Sequence, residues 1–265
     1  MTTIRIALGL EYDGRPFCGW QSQASGCGIQ DALEGAIGEL AGEPVTLNAA
    51  GRTDQGVHAS LQVAHFETEA RRPLTTWVRG VNAQLPAAVA VKWAIEVPPE
   101  FHARFSARRR NYHYLLLCQP GRPGLLAGRV GWTHRPLDLD RMRAAARFLV
   151  GEHDFSSFRS AQCQAKSPVK NLERIAVGAD GSLFSFEFAA NAFLHHMVRN
   201  IIGAMLMVGR GAKSPEWIAE ILAARDRTHA APTFMPDGLY LTGIEYDPKF
   251  GLPPTAPRHP WISQP

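Results

Sequence analysis

Between Ile29 and Leu40 the apolar residues Ile29, Ala32, Leu33, Ala36, Ile37 and Leu40 recur at the spacing of one helix face, and Gly42 with Pro44 ends the run. Ile4 to Glu11 alternates instead and reads as a strand. Val45 to Ala50 and Leu61 to Thr68 read as two more strands. Pro73 then opens a helix along Leu74, Trp77, Val78, Val81 and Leu85, since proline tolerates the first helical turn. Val89 to Val97 returns to strand. The order is β-α-β-β-α-β.

The second half repeats that order. Tyr112 to Cys118 is a predicted strand, and Leu139 to Val150 a helix capped by Asp138. Leu172 to Val177 and Leu183 to Ala189 make a hairpin around Asp180-Gly181, a type I′ signal. Phe184, Phe186 and Phe188 line one face of its second strand. A helix from Leu194 to Val208 ends at Gly209 and Gly211, Ser214-Pro215-Glu216 caps another, and Leu239 to Tyr246 is a closing strand. The pattern predicts an α+β chain of two ferredoxin-like β-α-β-β-α-β halves, sheets flanked by helices, at residues 1–105 and 106–247. A Pro-rich tail, 248–265, is expected to be extended. Such a topology hosts many unrelated activities and decides none.

Composition narrows the class. Of 265 residues, 45% are hydrophobic and 20% charged, which permits a packed core and argues against disorder. A net charge of +4 is mild, but Arg104, Arg108, Arg109 and Arg110 cluster just ahead of Tyr112 and Tyr114. Guanidinium forks for phosphates beside aromatic faces for bases suit an RNA surface; a solvated basic loop fits the same residues. The four cysteines form no C-x-x-C pair and have no histidine at zinc-like spacing, so a reduced protein without a metal site is expected. The start lacks a signal-peptide pattern, and the longest apolar stretch, Ile201 to Val208, falls short of the roughly 20 residues that span a bilayer. A cytoplasmic location, with no membrane partner, is the expectation.

Gly51-Arg52-Thr53-Asp54-Gln55-Gly56-Val57-His58-Ala59 joins two predicted strands and is too long for a tight hairpin. A loop of this kind can present a carboxylate and a guanidinium while the sheet holds its ends. Thr-Asp-x-Gly is also an ordinary turn composition. This segment resembles the signature loop of the tRNA pseudouridine synthase A family. Further blocks match in order: Glu11-Tyr12-Asp13-Gly14 with Gly19-Trp20-Gln21, Val81-Asn82 with Leu85-Pro86, Phe101 to Ala107, Tyr112, Gly151 to Phe158, and Asn191 to Gly203. The resemblance covers roughly residues 4 to 247. One departure is Gly28-Ile29-Gln30, where the family often has a hydroxyl residue before Val-Gln; glycine is a tolerable cap.

The resemblance implies a pseudouridine synthase fold, a homodimer, and isomerisation of uridine to pseudouridine at tRNA positions 38, 39 and 40 in the anticodon stem-loop. It implies no cofactor and no metal, since the reaction oxidises nothing and loses no group. Asp54 is then the nucleophile, with Arg52 helping to extrude the target base. Flipping exposes a bond that is inaccessible in a stacked stem and costs a few kcal/mol. Arg199 is the candidate cation for keeping the carboxylate charged, and Tyr112 the uracil contact by stacking or proton transfer. Arg104, Arg108, Arg109, Arg110, His195 and His196 are candidate RNA contacts. On a helix the two adjacent histidines would point about 100° apart, which is no chelating pair. Trp20, Trp77 and Tyr114 are expected in the core, and His58 as a support of the loop. The rivals are a non-catalytic RNA-binding module and a nucleosidase, which would need a positioned water and a second carboxyl such as Glu11 or Asp13.

Overall fold

The computed structural model describes residues 3–254, which divide into two compact units. The first gathers the chain up to Arg109 with the segment from Tyr240 on, and the second runs from Arg110 to Leu239.

The first unit contains β1 (Ile4–Tyr12), α1 (Ile29–Ala41), β2 (Asn48–Ala49), β3 (His58–Thr68), α2 (Leu74–Gln84) and β4 (Val89–Val97). β1 lies antiparallel between β4 and β3, and β2 pairs antiparallel with β3. This order, β4-β1-β3-β2, is that of a ferredoxin-like sheet. The helical stripe read from the sequence does the packing: Ile29, Leu33 and Ile37 are fully buried. Each such side chain contributes about 1.5–3 kcal/mol by leaving water. Gly42 closes α1 at φ 76, a left-handed cap that glycine adopts without strain. From α2, Trp77 meets Phe66 of β3 edge-on, ring centres 5.2 Å apart.

The predicted strand over residues 45–50 shrinks to Asn48–Ala49. Val45 and Leu47 are buried as their apolarity requires, but the Leu47 N–H donates to the Glu34 carboxylate at 2.7 Å. A side chain of α1 has taken the bond a ladder would use.

The second unit contains β5 (Arg109–Cys118), β6 (Gly131–Thr133), α3 (Leu139–Ala146), β7 (Gly151–Asp154), β8 (Val169–Asp180), β9 (Leu183–Ala190), α4 (Met197–Gly209) and α5 (Trp217–Ala224). β5, β9, β8 and β7 pair antiparallel in that order, and β6 adds to β5 in parallel. Phe184, Phe186 and Phe188 are buried, with Phe186 and Phe188 opposite Tyr114 and Tyr112. α3 packs on α4 and β8.

Several boundaries differ from expectation. α3 ends at Ala146 and continues only as a 3-10 turn, Arg147–Leu149. The hairpin turn is Gly181-Ser182, and only Gly181 has a positive φ, whereas type I′ requires both central residues positive. β6 and β7 are additional to the expected order, being too short for alternation to show in the sequence. α4 starts three residues late, for reasons given below. The last strand, β10 (Leu239–Glu245), pairs in parallel with β3 through Tyr240 and Leu241, so residues 240–247 belong to the first unit. Pro248–Phe250 form a 3-10 turn rather than an extended tail, because Phe250 buries itself against Phe101 at 5.2 Å. Residues 255–265 of the tail lie outside the described residues. Among the described residues no helix is long and apolar enough to cross a membrane.

Candidate active site

In the first unit Asp54 sits in the loop between β2 and β3, half-buried, with Arg52 exposed two residues before it and buried Thr53 between them. The loop backbone is held at successive points. Gln62 of β3 donates from Nε2 to the Gly51 carbonyl at 2.6 Å. The Trp20 N–H donates to the Thr53 carbonyl at 2.9 Å, and the Val57 N–H to the Asp54 carbonyl at 3.1 Å. Tyr12 of β1 meets the Thr53 hydroxyl at 2.8 Å. Gly19, at φ +100, lies so close that a Cβ there would stand 2.9 Å from the Thr53 carbonyl oxygen. Gly56 makes the exit turn at φ 79.

His58 is the first residue of β3 and is buried. Its Nδ1 accepts from the Gly14 N–H at 3.3 Å, and its ring stacks on Tyr240 with centres 4.7 Å apart. That is a support of the loop exit. Burial pushes the Asp13 carboxyl up, but bonds from Arg15 and the nearby His58 outweigh it and leave the group below its usual range. Asp13 is thus an ionised partner of Arg15. Trp20 and Trp77 are core residues, 2% and 0% exposed.

In the second unit the remaining candidates gather around the entry to α4. Helix geometry begins only at Met197, because His196 adopts a left-handed backbone, φ 63. The backbone of His195 is drawn aside: its N–H points at Cys163 Sγ (3.4 Å) and its carbonyl accepts from the Ser160 N–H (3.0 Å). His195 and His196 therefore precede the helix, and their ring centres lie 4.0 Å apart rather than splayed by the about 100° that a shared helix would impose. Arg199 lies in the first turn of α4, half-buried, and its Nε donates to the Phe234 carbonyl at 2.9 Å. Its side chain is aimed by that bond rather than snorkelling to solvent. Tyr112 of β5 belongs to the same neighbourhood, its ring edge-on to Phe193 at 5.0 Å. Tyr114 is fully buried and donates to the Met235 carbonyl at 2.9 Å; burial holds its hydroxyl well above the usual phenol range.

The arginine cluster does not act as one patch. Arg108 pairs with Asp247, Arg109 with Glu245 at 2.9 Å, and Arg110 donates to the Asn191 carbonyl at 2.7 Å. Arg104 is exposed and lies over the ring of Phe105, itself 76% exposed, at 5.6 Å. The cysteine expectation also changes. Cys18 and Cys27 are joined as a disulfide, Cα atoms 5.4 Å apart. Their nine-residue separation closes a turn in which the Cys18 N–H donates to the Cys27 carbonyl; no C-x-x-C spacing announced it.

The structure adds Gln62 and Asn200 to the residues that shape these regions. Asn200 is 0% exposed and binds the Phe158 carbonyl, the Thr233 hydroxyl (2.6 Å) and the Arg227 guanidinium (3.1 Å). Its signal was a lone amide inside an otherwise apolar helical stripe. Gln62 showed itself only as a polar residue at a core position of a strand.

A family model described as tRNA pseudouridine synthase matches residues 10–106 and 145–247. The tRNA pseudouridine synthase A of Thiobacillus denitrificans is 58% identical over 258 residues, 97% of this chain and 99% of that protein. The tRNA pseudouridine synthase A of Chromobacterium violaceum is 61% identical over 251 residues, 94% of this chain and 96% of that one. Among solved structures, the archaeal box H/ACA sRNP Nop10-Cbf5 complex aligns over 76% of this chain and 44% of its own, at 16% identity and a TM-score of 0.36. Two α+β units and a loop aspartate thus occur in a chain that belongs to the tRNA pseudouridine synthase family.

Proposed function

We propose that this chain isomerises uridine to pseudouridine at positions 38, 39 and 40 of the tRNA anticodon stem-loop, as a homodimer without cofactor, with Asp54 as nucleophile. The N1–C1′ bond breaks with its electron pair on the departing uracil. The ring turns within the site, C5 joins C1′, the C5 proton is lost and N1 gains one. Atoms balance within the nucleotide, so the protein need supply only a carboxylate beside the sugar, a flipped base and proton handling. Arg52, exposed on the same loop, suits extrusion of the base. Tyr112 offers a ring for the uracil, and Arg199 a positive charge that favours the ionised carboxylate. Arg104, His195 and His196 are proposed RNA contacts; Arg108, Arg109 and Arg110 would first have to exchange their intramolecular partners.

The observation that carries this reading is the placement of Asp54 in the family's signature segment, on a loop whose neighbours Gly51 and Thr53 are tied to the sheet. The test is conversion of unmodified tRNA by wild type, Asp54→Asn and Arg199→Gln, with tRNA binding recorded alongside. Asp54→Asn should lose at least ~10³-fold in rate while still binding, as expected for a missing nucleophile. Arg199→Gln should lose rate to a lesser degree. Wild type that binds tRNA without converting it would instead mark a non-catalytic RNA-binding module.

A further inference from the structure

Beneath the Asp54 loop lies a buried polar cluster that no step of the reaction uses. Tyr12, Thr53 and Gln62 are 4%, 7% and 0% exposed. Tyr12 and Thr53 share a hydroxyl–hydroxyl hydrogen bond of 2.8 Å, and the Gln62 side chain bonds the same phenol. Gln62 also donates to the Gly51 carbonyl, and its Oε1 accepts from the Val63 N–H at 3.1 Å. Burying these groups costs free energy unless every one finds a partner. The chain has therefore placed a satisfied network where apolar side chains would fill the space more simply.

The network is built by a local irregularity of the sheet. Leu10 pairs with Gln62, but Tyr12 pairs with Ala59, so β3 carries one residue more than β1 between those pairs. Such a bulge re-aims side chains and recurs beside active sites. Here Tyr12 reaches Thr53 on one side of Asp54's approach, and Gln62 reaches Gly51 two residues earlier. Thr53 is gripped through both its side chain and its carbonyl, the latter by the Trp20 N–H. The residue bonded to Asp54 therefore has little freedom left.

We propose that Tyr12 is a positioning residue of the reaction, fixing Asp54 through Thr53, with Gln62 as its buried partner. This inference rests on Asp54 being the nucleophile. Tyr12 need not touch substrate. Burial holds the Tyr12 phenol well above its ordinary range, so it stays protonated and serves as a fixed hydrogen-bonding group. A displacement of about 1 Å at a reacting group can cost on the order of a hundredfold in rate.

The experiment measures single-turnover conversion at saturating tRNA, tRNA affinity and thermal midpoint for Tyr12→Phe, Thr53→Val, Thr53→Ser and the double variant Tyr12→Phe/Thr53→Val. Tyr12→Phe and Thr53→Val should each lose about 10- to 100-fold in rate with affinity within about twofold. Thr53→Ser keeps the hydroxyl and should recover most of the rate. The double variant should be no slower than the worse single one, because both singles remove the same bond. Wild-type rates in Tyr12→Phe and Thr53→Val would overturn the inference. So would rate losses that follow affinity or the folded fraction, or a Thr53→Ser variant as slow as Thr53→Val. Asp54→Asn in the same assay separates the two readings. If it is inactive while Tyr12→Phe runs at full speed, only the positioning role fails; if it converts normally, the nucleophile assignment itself fails.

Discussion

The loop of Asp54 and the entry to α4 present their functional groups on irregular backbone, yet they are stabilised in different ways. Around Asp54 the constraints are many and separate: Gln62 on Gly51, Tyr12 and Trp20 on Thr53, and His58 at the exit. At α4 the buried side-chain ties centre on one residue. Asn200 bonds Phe158, Thr233 and Arg227, with Arg199 on the Phe234 carbonyl and the His195 backbone on Ser160 and Cys163 beside it, while His196 keeps a backbone conformation costly for a residue with a Cβ. Separate ties keep a loop folded when one is lost, although each still sets the position of the residue it holds. A hub puts several ties on one side chain, so a single substitution removes them together.

That contrast can be broken most readily at the hub. Asn200→Ala orphans the Phe158 carbonyl and leaves Arg227 and Thr233 short of an acceptor, so a loss of about 2–4 kcal/mol is expected. Urea denaturation measures it; a loss below about 1 kcal/mol would show that α4 does not depend on one residue. Next comes the Cys18–Cys27 bond, which closes a nine-residue separation beside Gly19 and Trp20. Opening so short a loop should cost about 2–3 kcal/mol on the chain-entropy model. Because the other ties of the Asp54 loop persist, conversion by the folded protein should survive reduction. A reduced enzyme that stays folded but stops converting would show that the Cys18–Cys27 bond also positions the loop.

The smallest effect lies at the far end of β3. Burial, with the charges of His102 and Arg5 nearby, pushes His65 down to about 4, and its Nδ1 accepts from the Ala103 N–H at 3.2 Å. The unfolded chain takes up this proton near 6.5, the folded one only near 4. Between those values the unfolded state binds more protons, so stability rises with pH across the window and is lost as pH falls through it. After allowance for solvent screening the contribution is on the order of 1–2 kcal/mol. His65→Gln should flatten that limb of the stability–pH curve, and an unchanged slope would assign it to other groups.

The helical stripe of α1, the start of α2 at Pro73 and all of β4 were legible because their apolar periodicity and the native burial agree. Prediction failed where a side chain competed for the backbone. Glu34 drew the Leu47 N–H away from a strand, and Cys163 with Ser160 drew His195 out of a helix. In both places the apolar residues were buried as expected, but periodicity carries no record of a polar partner more than a dozen residues away. The candidate residues themselves were legible through the ordered family blocks, which is a different kind of information from periodicity.

By itself, the sequence determined the α+β character, most element positions and the family, because local period and ordered motifs are written in consecutive residues. Only the tertiary structure decided that β10 runs beside β3, that Tyr12 and Gln62 lie under the Asp54 loop, and that Cys18 meets Cys27. Such pairings depend on chain reversals, a bulge and long-range hydrogen bonds. Their energies are settled only when distant segments are brought into contact and every buried polar group must find a partner.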